Sequence, residues 1–439
     1  MINAQPINFN SMNRNTALIS LPKELVSLLL TNWLGWRDIG HFDSAICNRA
    51  ARKEWIHLLS TICIFDSVSA GFWQTLNYFP WVLLRFVRTR MVVVRFNPHV
   101  EETLMARWLE HTGPYLASFT SNHTESYVLR SLTHNANSLK VLSFRNCNLD
   151  DIFWTFLRSN PHLQELSLFG KSVRTDPVPT DMYLPNLHRL DIGCDTLSSE
   201  SSVLLMRQLP SLRSLKLAGS DIAVAIETLF AVIPPKLVNL HLESPYQSIT
   251  SRDYEQFQLL MERLAPGLRS VVLLVSNDFT VDVLQSVVQY HGHSLRGLCL
   301  IGNVPLDLPL TSSLSDLLNQ MPYLHTLQIP FRMLSKLTAQ VNNPIITHLY
   351  VDLTSHYEIL ADSIKEHFPH LTKLSLFWTS VHTLNSDIIV PNLARLVNRR
   401  PALRTICLKN EELIKEMRWG IPKCQILKYT PFDIFSLDF

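Results

Sequence analysis

Asn160-Pro161-His162-Leu163-Gln164-Glu165-Leu166-Ser167-Leu168 is answered further on by Leu184-Pro185-Asn186-Leu187-His188-Arg189-Leu190-Asp191-Ile192. Both write one phrase: proline, one variable residue, an aliphatic, two variable residues, an aliphatic, one variable residue, an aliphatic. The phrase starts again at Leu116, Leu139, Leu212, Leu237, Leu268, Leu295, Leu324, Ile346, Leu371 and Leu403, at intervals of 22 to 32 residues. A fainter copy stands ahead of them at Met91, Val94 and Phe96. Proline sits two places before every start except Leu139 and Leu295.

Alternate side chains of a strand face opposite ways, so Leu166 and Leu168 are expected on the core side and Ser167 on the other. Between phrases the period changes. Leu314, Leu317, Leu318 and Met321 fall at helical spacing, as do Val283, Leu284, Val287 and Val288 behind a capping Thr280. Asp150-Asp151 ahead of Ile152, Phe153, Phe156 and Leu157 predicts a third helix with acid at its start. Proline ends each helix and restricts the residue before it, so a unit reads helix, stop, strand. The segment from Gly170 to Leu184, with Pro177 and Pro179, has no helical pattern and is expected to cross by irregular turns.

A period of roughly 20 to 30 residues marks a solenoid, whose core lengthens with each unit. The 439 residues therefore do not count domains. Hydrophobic content of 46%, charged content of 17% and a formal net charge of +2 describe a packed chain without the basic excess of a nucleic-acid binder. The seven cysteines are scattered and form no CxxC pair, which predicts reduced thiols rather than disulfides or zinc. No apolar run is long enough to span a bilayer, and the first residues lack a signal core. A cytoplasmic or nuclear protein with no membrane contact is expected, so Asn122-His123-Thr124 is not read as a glycosylation site.

A strand and a helix per unit, stacked in parallel with the wider helical side outside, resemble the leucine-rich-repeat family over roughly Met91 to Asn410. The resemblance implies an α/β fold, a right-handed solenoid bent into a horseshoe. The unit at Leu139, with Cys147 at the turn and Leu149-Asp150-Asp151 after it, is similar to the cysteine-containing subtype. Most other turns carry different residues.

Ahead of the repeats stand Leu21-Pro22-Lys23-Glu24-Leu25, Leu28-Leu29, Trp33-Leu34, Asp38-Ile39, Cys47, Arg52 and Trp55. Leu21, Leu25, Leu28, Leu29 and Trp33 share one helical face. Over about Leu21 to Leu59 this resembles an F-box, departing from it at Asp43 and Asn48. The resemblance implies a small all-α module that docks on a Skp-type adaptor and through it on a cullin complex, using Leu21, Pro22, Leu25, Leu28, Leu29, Trp33, Leu34, Asp38 and Ile39. The repeats would then choose a protein substrate for ubiquitination. A short helical hairpin cannot bury all its leucines and tryptophans alone. The residues themselves leave two readings open: an adaptor-binding module, or only the cap that a solenoid needs over its open end.

The chain is thus divided into a disordered 1–17, a helical module 18–60, a solenoid 61–410 and a C-terminal cap 411–439. On the concave face the variable residues between strand aliphatics, and residues just beyond them, are the candidates for holding a protein target. The first are Ser143, Ser167, Asp191, Lys216, His241, Gln328 and Tyr350, and the second Arg145, Phe169, Glu243 and Trp378. Added residues after Leu242 and after Leu376 are either recognition loops or tolerated insertions.

No phosphate-binding glycine loop and no triad at motif spacing occur, so no catalytic residue, metal or cofactor is assigned. Glu366, His367 and His370 are interrupted by Pro369 and do not make a helical zinc pair. Arg85, Arg88, Arg90 and Arg95 form the densest basic run and are read as solvated side chains around the first strand rather than an anion site. The competing reading of the whole is a leucine-rich-repeat scaffold or inhibitor with no ubiquitin role.

Overall fold

The computed structural model describes residues 21–428 apart from 33–35, 47, 62–63, 71–78, 95–101, 123–125, 134–137, 147, 171–176, 194–197, 219–221, 244–249, 265–266, 276–280, 303–312, 335–336, 338–340, 342, 353–363, 365, 378–385, 400–401, 409–413, 415–417 and 419–423. The chain forms two compact units, Met1–His188 and Arg189–Phe439.

Among the described residues the first unit begins with three helices, α1 (Lys23–Asn32), α2 (Trp36–Ala45) and α3 (Arg49–Thr61). Five parallel strands follow in chain order among the described residues: β1 (Ile64–Ala70), β2 (Arg88–Val94), β3 (Ser118–Ser121), β4 (Val141–Arg145) and β5 (Glu165–Phe169). Helices α4 (Phe79–Leu84), α5 (Glu102–Thr112), α6 (Ser126–Thr133) and α7 (Asp151–Arg158) lie between them. Alternation is clean here: Leu142 and Phe144 are fully buried while Val141 and Ser143 are half-buried.

In the second unit, among the described residues, ten strands run parallel in chain order: β6 (Arg189–Gly193), β7 (Ser214–Ala218), β8 (Asn239–Glu243), β9 (Ser270–Val275), β10 (Gly297–Gly302), β11 (Thr326–Pro330), β12 (His348–Asp352), β13 (Lys373–Phe377), β14 (Thr405–Leu408) and β15 (Gln425–Lys428). The crossing helices are α8 (Ser199–Arg207), α9 (Ile222–Ala231), α10 (Ser251–Arg263), α11 (Val281–His291), α12 (Ser313–Asn319), α13 (Phe331–Leu334) and α14 (Ser386–Arg399). A neighbour-to-neighbour parallel ladder with helical crossings is the leucine-rich-repeat solenoid. Its ladder continues to β15, within 411–439, the stretch expected to cap the solenoid.

The phrase starts are the core. All twelve, from Leu116 to Leu403, are at most 6% exposed. Each contributes on the order of 1.5–3 kcal/mol on burial. The prolines do more than stop helices. The N–H of Leu163 donates to Asn160 O at 3.1 Å, that of Leu187 to Leu184 O at 3.3 Å, and that of Leu212 to Leu209 O at 3.2 Å. Each closes a four-residue turn with proline at its second position, where the fixed φ of proline is already correct.

The faint copy at Met91 is out of register. Met91 pairs with Ser118 and is 39% exposed, whereas Val92 pairs with Phe119. The start is therefore Thr89, fully buried, whose N–H donates to Thr112 Oγ1 at 3.0 Å and whose hydroxyl donates to Met91 O at 3.0 Å. Val94 is half-buried, and Phe96 lies outside the described residues. An earlier unit stands at Phe65, which pairs with Thr89 and is 4% exposed.

The helices begin as their sequences direct. Asp150 caps α7, its carboxylate accepting from Ile152 N and Phe153 N at 3.1 Å each. Thr250 and Asp253 form a reciprocal capping box on α10. Leu314, Leu317 and Leu318 of α12, and Val283, Leu284, Val287 and Val288 of α11, are all buried. Thr280 lies outside the described residues. Residues 177–184 contain no helix.

Candidate functional site

Helix α1 turns Val26 and Leu30 fully inward. Leu25 and Leu28 lie on the other side, 42% and 51% exposed, with Pro22 exposed and Leu21 and Leu29 half-buried. The described leucines of the expected face, Leu21, Leu25, Leu28 and Leu29, thus lie together on the outer side of the helix, and the core side is made by Val26 and Leu30. Asp38 is exposed at the start of α2, while Ile39 is 1% exposed and belongs to the interior. Trp33 and Leu34 lie outside the described residues. Trp55 of α3 is fully buried against Phe42, ring centroids 4.8 Å apart.

The two departures from the F-box pattern both have structural work. Asn48 caps α3, its side-chain oxygen accepting from Ala50 N at 2.9 Å and Ala51 N at 3.2 Å. Asp43, 2% exposed, accepts from Trp81 Nε1 at 2.8 Å and Arg85 Nη2 at 3.0 Å, with Arg52 Nη2 at 3.6 Å. Trp81 belongs to α4 and Arg85 follows it, so one carboxylate joins the helical module to the first repeats. Arg88 donates to Thr61 O at the end of α3 and lies over the Tyr115 ring at 4.5 Å. His111 Nε2 contacts Ser60 O at 2.9 Å, so that nitrogen carries the proton. The arginine run is corrected accordingly: Arg85 and Arg88 are structural, Arg90 is exposed, and Arg95 lies outside the described residues.

The open face of the sheet carries the second group of candidates. In the first unit Ser143 pairs with Ser167 and Arg145 with Phe169; Arg145 is exposed and the other three are half-buried. In the second unit register aligns Asp191, Lys216 and His241 on β6, β7 and β8, with Glu243 opposite Ala218. Lys216 Nζ lies 2.6 Å from Glu243 Oε2, and His241 Nε2 lies 3.3 Å from the same oxygen. Arg189 holds Asp191 at 3.3 Å. The close contact of the His241 imidazole, with the Lys216 ammonium adding to it, holds the Glu243 carboxyl down at about 2 against the opposing effect of burial. Burial keeps the His241 imidazole below its ordinary value.

Beyond β8 the row closes up. Val272, Cys299, Gln328, Tyr350, Ser375 and Cys407 are all at most 9% exposed, so Gln328 and Tyr350 offer little surface. Asp191, at 5%, offers little more. Side chains on adjacent strands about 4.8 Å apart cover one another, and small residues such as Ser375 disappear between larger ones. Trp378 lies outside the described residues, as do 244–249 and 378–385 of the insertions after Leu242 and after Leu376.

An unforeseen groove of about 490 Å³ opens between α10 and α11, lined by Glu255, Leu259, Glu262, Asp282, Gln285 and Tyr290 among others. Its signal was the polar faces of two adjacent helices, which periodicity assigns simply to solvent. His291 is 1% exposed and contacts Met261 O through Nε2 at 3.1 Å, a tie between α11 and α10. Among the described residues no helix is long and apolar enough to cross a membrane.

No family model matches the chain, and no curated protein matches it. Among solved structures it is similar to the yeast Rad7 and Elc1 complex, at 16% identity and a TM-score of 0.49, covering 93% of this chain and 92% of that one. It is similar also to the leucine-rich-repeat protein LegL7 from Legionella pneumophila, at 14% identity and TM-score 0.34, over 77% and 89% of the two chains. A third likeness is to a leucine-rich-repeat protein of Leptospira interrogans, at 14% identity and TM-score 0.33, over 86% and 92%. The solenoid described above stands on strand register and burial, without these likenesses.

Proposed function

We propose that this chain is a non-catalytic recognition subunit of a cullin-based ubiquitin ligase. Its α1 meets a Skp-type adaptor through Leu25 and Leu28, with Pro22, Leu21 and Leu29 at the margin. The polar face formed by Lys216, His241 and Glu243 meets a protein target. The observation that carries the reading is that Leu25 and Leu28 stay in water while Asp43 locks the rest of the module onto the repeats. Leu25 and Leu28, three residues apart on one helix face, supply the apolar anchors that a docking helix uses.

Leu25→Glu with Leu28→Glu tests it, because both side chains are exposed and their replacement leaves the core intact. The wild-type chain should co-purify with a Skp-type adaptor, and the double variant should lose the adaptor while melting within about 1 °C of wild type. No capture by either would favour the second reading, and equal capture would place the adaptor contact away from Leu25 and Leu28. That second reading, a leucine-rich-repeat scaffold whose module is a cap, has its own support in the Asp43, Arg88 and His111 ties, which are what a cap needs.

A further inference from the structure

A formal net charge of +2 hides a segregation of charge in the second unit. The segments that lead from each helix into the next strand are 207–213, 232–238, 264–269, 292–296, 320–325, 343–347, 367–372 and 400–404, and none contains an aspartate or glutamate. Basic residues recur in them at one register position. The backbone ladder runs Val238 N to Arg213 O, Arg269 N to Val238 O, Arg296 N to Arg269 O and His325 N to Arg296 O, at 2.6 to 2.9 Å. It continues through Thr347 and Thr372 to Arg404. These residues therefore stand in one row along the edge of the sheet where its strands begin.

Arg213, His325 and Arg404 are exposed, and Arg269 and Arg296 half-buried. Among the described residues none of the four arginines forms a salt bridge. The unit's carboxylates at Glu243, Glu255, Glu262 and Asp282 belong to the open face and to the groove between α10 and α11. Like charge also accumulates behind the row. Burial first, then the positive charges of Lys373 and His325, hold the His348 imidazole below its ordinary value. Tyr323, 54% exposed on the segment that carries His325, adds an aromatic contact.

We propose that this edge is a second interaction surface, which binds an extended acidic segment of a protein. From β7 to β14 the row spans seven strand steps, roughly 34 Å at about 4.8 Å each, the length of about ten residues of extended peptide. Arginine presents a planar fork to carboxylates, and the long side chains of Arg269 and Arg296, on strands about 4.8 Å apart, need to splay by only about 2 Å to meet carboxylates about 6.7 Å apart on one face of such a segment. The row is one residue wide and is broken by Val238, Thr347 and Thr372. A nucleic acid gains its affinity from many neutralised phosphates, which discrete cations on a nearly neutral chain do not supply. The exposed tyrosine beside arginines is the composition of a protein contact.

Fluorescence anisotropy on the full chain tests the surface, using a labelled peptide of alternating glutamate and glycine and a labelled single-stranded oligonucleotide of equal charge. The peptide should bind at low salt and weaken as salt rises. Arg269→Glu with Arg296→Glu should weaken it by about tenfold or more, and the milder Arg213→Gln with Arg404→Gln by about threefold. Circular dichroism melting of both variants guards against misfolding, and the second changes only exposed side chains. Absence of peptide binding at low salt, equal binding by wild type and both folded variants, or tighter binding of the oligonucleotide would each overturn the proposal.

Discussion

Arg85 Nη2 lies 3.0 Å from Asp43 Oδ2, across 42 residues of chain, and this bond ties helix α2 to the segment that enters β2. It fixes the helical module to the first repeats. The same carboxylate accepts from Trp81 Nε1 and lies 3.6 Å from Arg52 Nη2, so two donors and a neighbouring cation share one buried acid.

Asp43→Ala should lower stability by about 2–4 kcal/mol, somewhat under the ~3–5 kcal/mol of a fully buried pair, because Arg85 keeps some access to water. The urea midpoint measures it. A loss under about 0.5 kcal/mol would show that the carboxylate does not anchor the module.

Asp150→Ala removes the acceptor for Ile152 N and Phe153 N and should cost about 1 kcal/mol. Asp150→Asn, which can still accept, should recover most of it. The pair of midpoints separates capping from general acidity.

Acid should weaken the second unit in two windows. His241, His291 and His348 are held below 6.5 by burial, so the unfolded chain binds protons first. Their stabilisation is complete above about pH 6.5 and declines as pH falls below it. Glu243, held at about 2 against an ordinary 4.5, contributes fully above about pH 4.5 and loses that contribution as pH falls toward 2. Imidazole titration by NMR should give folded midpoints below 6.5 for all three histidines, and a higher value for any would contradict burial as its cause. Glu243→Gln should flatten the lower window.

Cys299 and Cys407 are buried, and burial pushes the Cys299 thiol well above its ordinary value and Cys424 up to about 11. All three should resist alkylation at about pH 8 in the folded chain and react in urea. Mass spectrometry of the labelled peptides reads this directly. Rapid labelling of Cys299 in the folded chain would mean that the open face is looser than described.

The repeat was legible because its signal is apolar and periodic: Leu163, Leu166 and Leu168 announce a strand without help from the rest of the chain. The first units escaped because Thr89 fills its place with a hydroxyl that bonds backbone, and a search for aliphatics passes over it. Asp43 and Asn48 look like departures from a pattern, and only their partners, Arg85 for one and the amides of Ala50 and Ala51 for the other, show why they are there. The open face was read one strand at a time, which places Asp191, Lys216 and His241 correctly in a row. It says nothing of mutual cover, so the burial of Gln328 and Tyr350 was not legible. The basic edge was hidden by unequal repeat lengths, which scatter Arg213, Arg269, Arg296 and Arg404 in sequence until the ladder aligns them.

Hydrogen exchange on the full chain, with and without a purified Skp-type adaptor, tests the central claim most directly. Added protection at Leu25 to Leu30 of α1, with the amides of β6 to β14 unchanged, is the predicted result. Unchanged exchange in α1 at saturating adaptor would contradict the account and leave the module as a cap.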